Sequence, residues 1–332
     1  MTNPMKKNDI SDDVRLRKSN IQFVFFGTSE VAVFVLEELF AAGFTPALIV
    51  TTPDTRRGRG LRLMPPPAKE WALKHSVGIL QPEQLDDDFL PYLSEAHAQV
   101  FVVADYGKLI PKTVLTIPPC GVLNVHPSLL PRLRGPSPIK SAILNDDRAT
   151  GVSVILLDEE MDHGPIVAQK RIPIAGWTDE SGLARRSLGE VGPPRASALG
   201  ETLARGGGKL LADILPAWIA GEIEAREQNH DIATYCKKIE KEDGLLDLSG
   251  DAYKNLLKVR AFEGWPGTYA FFERPAKSAS RRIRVGILDA HIIQQNDLLG
   301  EENDKLVIDR VKPEGKREMD YDEFLRSGAQ PL

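Results

Sequence analysis

Ile21-Gln22-Phe23-Val24-Phe25-Phe26-Gly27-Thr28-Ser29 decides how this chain begins to fold. An apolar run of strand length stops at a glycine and two hydroxyl residues, a turn signal. Glu30 to Ala42 then reads as a helix ended by Gly43, and Ala47 to Val50 as a second strand. This is the β-turn-α-β opening of a doubly wound sheet. Outward from it the alternation continues, with helices over 68–75 and 89–96 and strands over 77–80 and 99–104. Pro91 is tolerable because it falls in a first helical turn. Gly121 to His126 and Gly151 to Leu157 read as further strands with a helix from Pro138 to Asn145 between them, so a mostly parallel sheet is expected. A dinucleotide site at Gly27-Thr28-Ser29 is disfavoured. The later glycines of G-x-G-x-x-G are missing and no acidic residue closes the second strand at Val50, so a tight turn capped by Thr28 or Ser29 is the better reading.

Beyond Arg185 the pattern changes. Val191-Gly192-Pro193-Pro194 and Gly206-Gly207-Gly208 interrupt what would otherwise be helix, which resumes over 209–219 and gives way to a polar linker over 220–230. The remainder carries short β-rich runs, Gly267 to Phe272, Ile283 to Leu288 and Lys305 to Val311, as in a small barrel or sandwich. The expected organisation is therefore a flexible leader at 1–20, an α/β domain at 21–208, a helix and linker at 209–230 and a β domain at 231–332. A chain of 332 residues suits two domains, and its net charge of -5 argues against a wholesale nucleic-acid coat without excluding a basic face. Two distant cysteines, Cys120 and Cys236, argue against a disulfide framework or zinc site and fit a reducing cytoplasm. Neither a secretory h-region nor an apolar run of membrane-spanning length occurs, so no membrane partner is expected.

The chemistry concentrates at Asn124-Val125-His126-Pro127-Ser128-Leu129-Leu130-Pro131. In a strand, residues two apart share a face, so Asn124 and His126 present an amide and an imidazole side by side at a carboxyl end, where open α/β sheets bind ligands. The acidic run Leu157-Asp158-Glu159-Glu160-Met161-Asp162-His163-Gly164 follows another strand and can supply a carboxylate to the same place.

Three segments in order carry a family resemblance: His126-Pro-Ser-Leu-Leu-Pro-Arg-Leu-Arg-Gly-Pro-Ser-Pro-Ile139, Thr150-Gly-Val-Ser-Val154, and Met161-Asp-His-Gly-Pro165. Together they resemble the folate-dependent formyltransferases. The resemblance implies catalytic roles for Asn124, His126 and Asp162. It further implies a folate pocket along Tyr106, Gly107, Lys108, Leu109, Ile110 and Pro111, with Ser128, Leu129, Leu130, Pro131, Leu157 and Asp158 beside it. The segment 52–69 is similar to the inserted loop of the methionyl-tRNA formyltransferases. It sets Arg56, Arg57, Arg59, Arg62 and Lys69 against Asp54 alone, and its glycines leave it mobile until an anion orders it. The stretches 233–243 and 259–269 resemble the second domain of the same enzymes, an OB-like barrel that holds tRNA. Residues 251–284 carry eight basic residues against three acidic ones, and Lys254, Lys258, Arg260, Arg281, Arg282 and Arg284 are the expected tRNA contacts beside Trp265, Tyr269, Phe271 and Phe272. Most of those aromatics read as barrel core. Pro127 and His163 depart from the family pattern, which commonly has a smaller residue and Thr there.

The resemblance implies formyl transfer from 10-formyltetrahydrofolate to the α-amine of methionyl initiator tRNA by a metal-free monomer. The nearest rival is the same chemistry on an amino sugar nucleotide, for which a shorter, less basic loop after the second strand is expected. A hydrolase releasing formate would share the three residues without needing the C-terminal barrel. A non-catalytic RNA-binding protein on this scaffold would not need Asn124, His126 and Asp162.

Overall fold

A computed structural model describes residues 21–57, 60–147, 149–173, 192–274, 281–296 and 302–332. The leader expected at 1–20 lies outside these residues, as does the start, at 185–191, of the region where the sequence pattern changes. Contacts divide the chain into two compact units that are not contiguous in sequence: residues 1–136, 150–172 and 200–235 form the first, and 137–149, 173–199 and 236–332 the second.

In the first unit, β1 (Phe23–Gly27), β2 (Leu48–Val50), β5 (Gly78–Leu80), β6 (Val100–Ala104), β7 (Val122–His126), β8 (Thr150–Leu156) and β9 (Ile166–Ile172) build one sheet in the order β5-β2-β1-β6-β7-β8-β9. The strands from β5 to β7 pair in parallel, as the βαβ alternation requires. Pairing then reverses: β8 runs antiparallel to β7 and β9 antiparallel to β8. The expected parallel continuation through helix 138–145 does not occur, and that helix, α5 (Pro138–Leu144), groups with the second unit.

Alternate residues of the strands enter two cores. Phe23, Phe25, Ile49, Val102, Leu123 and Val125 pack on one face with α1 (Glu30–Ala41), α2 (Pro67–Lys74) and the long helix α6 (Ala196–Ile219). Val24, Phe26, Phe101, Val103 and Val122 pack on the other with α3 (Leu90–Glu95), α4 (Lys112–Leu115) and Tyr106. Gly27 is required at the end of β1, since a Cβ there would lie 2.5 Å from Phe25 Cε1 and 2.9 Å from the Ala104 carbonyl oxygen. Ser29 caps α1 by accepting from the Val31 amide at 3.1 Å, whereas Thr28 donates instead to the Tyr106 carbonyl at 2.9 Å. The cap and the neighbouring turn thus divide the two hydroxyls.

The glycine run does not interrupt the helix. α6 continues for 24 residues through Gly206-Gly207-Gly208 and Pro216. A Cβ would meet Ile172 Cδ1 at 2.1 Å from Gly206, Val125 Cγ1 at 2.4 Å from Gly207, and the Val35 carbonyl oxygen at 3.0 Å from Gly208. The intrinsic helix penalty of glycine, about 1 kcal/mol each relative to alanine, is offset by letting the helix lie against the sheet and α1 at backbone distance.

In the second unit, β10 (Thr268–Arg274), β11 (Arg281–Asn296), β12 (Glu302–Pro313), β13 (Met319–Asp320) and β14 (Gln330–Pro331) form a five-stranded antiparallel sheet in the order β13-β12-β11-β10-β14. Val259 of α7 (Ala252–Ala261) and Phe324 of α8 (Tyr321–Leu325) join Phe272, Val285, Ile287 and Val311 in its core. The strands over 283–288 and 305–311 are longer than expected because both extend into one two-stranded ribbon, with a register shift around Asp289.

Candidate active site

Strand parity places the first two groups. Leu123 and Val125 belong to one core and Val122 to the other, so Asn124 and His126 project together from the face opposite α6. Asn124 Nδ2 donates to Asp162 Oδ1 at 3.3 Å, and His126 Nδ1 lies 3.4 Å from the same oxygen. His126 is buried, and its Nε2 lies 3.0 Å from the Leu133 carbonyl. A carbonyl oxygen only accepts, so Nε2 carries a proton. Asp162 Oδ2 accepts from the Gly135 amide at 2.8 Å. One carboxylate oxygen is anchored, and the other faces the Asn124 amide donor and the His126 Nδ1, which donates only when both ring nitrogens carry protons, at distances above the usual range of about 2.7 to 3.2 Å. An acyl oxygen entering between Asn124 and His126 can therefore take up the Asn124 donor, and Nδ1 as well when the ring is doubly protonated, while Oδ1 remains beside it as a proton acceptor.

The turn that delivers Asp162 follows from its residues. Asp162 has φ 52, a left-handed conformation that Asp tolerates better than most side chains. Gly164 follows because a Cβ there would sit 1.9 Å from the Leu156 carbonyl oxygen. His163 Nδ1 meets Asp158 Oδ2 at 2.7 Å, and its ring stacks on His230 at 4.2 Å.

The loop after His126 is held by its own groups. Ser128, expected at the folate pocket, is buried and donates through Oγ to the Arg132 carbonyl at 2.7 Å. Ser153 Oγ donates to the Ser128 carbonyl and accepts from the Leu130 amide, and Gln169 Nε2 donates to both Ser153 Oγ and the Leu130 carbonyl. Leu130, also expected there, is buried, and the Leu130–Pro131 bond is cis. Among the other residues expected at the folate pocket, Tyr106 is buried against Phe26, and burial pushes its phenol up to about 12. Lys108 donates to the carbonyls of Pro82 and Glu83 at 2.9 and 2.7 Å. Leu109 stands 78% exposed. The segment 105–111 begins at the carboxyl end of β6, where the Thr28 amide bonds the Asp105 carbonyl, and so it lies at the topological switch point between β1 and β6.

The basic loop is a short hairpin in which β3 (Thr55–Arg57) pairs with β4 (Arg62–Met64). Arg56 and Arg62 are exposed; the side chain of Arg57 and residue Arg59 lie outside the described residues. Lys69 is not on the outer surface of that hairpin. Its Nζ lies 2.8 Å from Asp54 Oδ1, which also accepts from Gln81 Nε2, and the Lys69 hydrogen bond holds the Asp54 carboxyl below its ordinary range. In the second unit Arg282 stacks over Phe271 at 3.8 Å and Arg284 over Tyr269 at 3.7 Å. Arg281 and Lys254 are exposed, whereas Lys258 donates to the Leu245 carbonyl. Arg260 lies 3.5 Å from Asp289, and burial draws its guanidinium pKa down, so it serves this unit's interior.

Models of known families match both units. A formyl transferase model matches residues 19–191, and a formyl transferase C-terminal domain model matches residues 238–328. The chain belongs to the formyl transferase family. Among curated relatives, the methionyl-tRNA formyltransferase of Chloroflexus aurantiacus is 42% identical over 76% of each chain. That of Herpetosiphon aurantiacus is 36% identical over 94% of this chain and 99% of its own. Solved structures share the fold at lower identity. An N-formyltransferase from Helicobacter canadensis, in complex with folinic acid and dTDP-3-aminofucose, superposes with TM-score 0.56 at 15% identity, covering 88% of this chain and 94% of that one. HypX from Aquifex aeolicus, in complex with tetrahydrofolic acid, gives TM-score 0.56 at 15% identity over 92% of this chain and 47% of its own.

In this formyl transferase the site also uses groups that motif reading passes over. Gln228 sits in what reads as a polar linker, yet it is buried and bonded to Arg134 and to the Asp162 turn. Gln169 likewise looks like an ordinary strand residue, its only sequence signal a polar side chain beside a buried loop, whereas Ser153 lies inside segment 150–154 of the family resemblance but is given no role there.

Proposed function

We propose that this formyl transferase transfers the formyl group of 10-formyltetrahydrofolate to the α-amine of methionine carried on initiator tRNA. The observation that carries the chemistry is the convergence of Asn124 and His126 on one oxygen of an anchored Asp162. The amine must attack as the free base, and α-amines have pKa values of about 7.7 to 8.0, so no strong base is needed to ready it. Its lone pair forms a bond to the formyl carbon, and the acyl oxygen takes the displaced electron pair. Asn124, and His126 when its Nδ1 carries a proton, donate to that oxyanion. Asp162 Oδ1 takes the proton shed by the attacking nitrogen. The tetrahedral centre collapses with cleavage of the carbon–N10 bond, and that proton passes to N10. Formylated methionyl-tRNA and tetrahydrofolate leave, and every proton is accounted for without an added reactant. We assign no metal to any step. Backbone groups of 105–111 at the switch point would read the pterin edge.

The acceptor is read from charge. The Arg56/Arg62 hairpin leaves the sheet directly after β2, on the carboxyl-end side from which His126 also emerges, and suits phosphate contact beside the site. The stacked Arg282–Phe271 and Arg284–Tyr269 pairs offer a second unit suited to nucleic acid. The same reading makes the enzyme a cytoplasmic monomer; among the described residues no helix is long and apolar enough to cross a membrane. The test supplies 10-formyltetrahydrofolate with methionyl initiator tRNA in one reaction and an amino sugar nucleotide in another. Formylation of the tRNA-borne amine is expected. Formylation of the sugar alone refutes the acceptor assignment.

A further inference from the structure

The proposed mechanism needs the Asp162 carboxylate aimed at one point, and a left-handed turn on a long loop does not aim itself. The first unit contains a buried assembly that does. Arg134 is 1% exposed, and its Nε and one terminal nitrogen donate to Gln228 Oε1 at 3.1 and 2.7 Å. An arginine only donates, so this contact settles which end of the Gln228 amide is oxygen. The Nε2 end then donates to the Asp162 carbonyl at 2.9 Å and to the Gly164 carbonyl at 2.7 Å. Both lone pairs and both protons of the amide are used, and Gln228 is itself 4% exposed. The amide bridges Arg134 to the backbone on both sides of His163.

The next residue completes the hold. The Gly135 amide anchors Asp162 Oδ2 at 2.8 Å, so Arg134 fixes the turn's backbone through Gln228 while Gly135 fixes the carboxylate directly. Arg134 also donates to His230 Nδ1 at 2.8 Å and to the Tyr235 hydroxyl at 3.2 Å, and its own amide bonds the Thr234 carbonyl at 2.9 Å. His230 stacks on His163, and His163 is tied to Asp158 at the far side of the same turn. Two points of attachment to one short segment leave Oδ1 a single direction, toward Asn124 and His126.

We infer that Arg134 and Gln228 are positioning residues for formyl transfer, acting only through the orientation of Asp162. This rests on the catalytic reading of Asp162. Gln228→Glu is the informative change: it keeps an oxygen for Arg134 but turns the two donated protons into an oxygen facing two carbonyls. The turn must move, and a displacement of roughly 1 Å at a reacting group can cost on the order of 10²-fold in rate. The expected result is a fall in kcat of about 10- to 100-fold, with KM for either substrate unchanged within about twofold. Combined with Asp162→Asn, the same change should lower the residual rate no further, because the carboxylate being aimed is gone. Arg134→Lys, which keeps the charge but loses the fork, should give the same split between kcat and KM.

A second readout does not depend on turnover. In nitrogen-detected NMR, the His126 ring signals of Gln228→Glu should move toward those of Asp162→Asn. Full kcat in Gln228→Glu overturns the inference, and so does a further loss in the Asp162→Asn background. Unmoved His126 signals overturn it even if wild-type protein formylates neither acceptor, a result that would count against the proposed function alone.

Discussion

Gly207→Ala tests how the fold holds the site. Gly207 lies on α6 at the point where the helix meets β7, and the atom in its way is Val125 Cγ1, 2.4 Å from where the new Cβ would sit. Val125 stands between Asn124 and His126 on the same strand, with its side chain on the opposite face. Carbon atoms pack at about 3.5 to 4.0 Å, so helix and strand must separate by roughly 1 Å or more. A β-branched valine has little freedom to rotate aside. Two terms then oppose each other. Alanine favours the helix by about 1 kcal/mol, and overpacking of this kind costs about 1 to 3 kcal/mol. A net loss of up to about 2 kcal/mol follows, read as a lowered midpoint in urea unfolding. Activity should suffer more than stability, because β7 carries two of the three groups proposed to act in the reaction: kcat should drop about 10- to 100-fold with KM nearly unchanged. Gly206→Ala is the control. There the clash, though closer, is with the far end of Ile172, which can swing away, and turnover should stay within a few-fold of wild type. A Gly207→Ala enzyme with wild-type kcat and midpoint would refute the argument that the glycine run exists for close approach at β7.

Asn124→Ala removes one donor to the developing oxyanion. It should lower single-turnover formylation by about 10²- to 10³-fold while formyl-folate affinity is retained. Arg56→Ala and Arg62→Ala should each weaken tRNA binding and reduce the slope of log affinity against log salt by about 1, leaving kcat at saturation unchanged; a slope identical to wild type in both excludes phosphate contact by the hairpin. Tyr106 Oη has no hydrogen-bond partner among the described residues, so Tyr106→Phe should unfold at the same urea concentration as wild type or a higher one at neutral pH. Its raised pKa means the folded state keeps its proton longer than the unfolded state. That contribution is therefore whole below pH 10.0 and fades as pH rises toward about 12, an alkaline loss that Tyr106→Phe should lessen.

The local parts of this molecule were legible because they depend on near neighbours. The β1–turn–α1–β2 opening follows from an apolar run, a glycine and a serine cap, and the shared face of Asn124 and His126 follows from strand geometry alone. Direction was not legible: an apolar strand such as Thr150–Leu156 reads the same whether it pairs parallel or antiparallel, and it pairs antiparallel with β7. Gly206-Gly207-Gly208 reads as a break because propensity counts only the helix's own cost, whereas the opposing gain comes from Val125 and Val35, far away in sequence.

The candidate site divides along the same line. Residue order alone determines that an amide and an imidazole stand side by side at a strand end and that an acidic turn follows, since each rests on a repeat or spacing of a few residues. Only the tertiary structure decides that Asp162 meets them, that Lys69 is taken up by Asp54, and that Gln228 reaches across from 94 positions away to join Arg134 with the Asp162 turn. Hydrogen bonds of that kind are made by groups the fold brings into a dry interior, where each buried donor and acceptor must find a partner, and no local pattern encodes which one it finds.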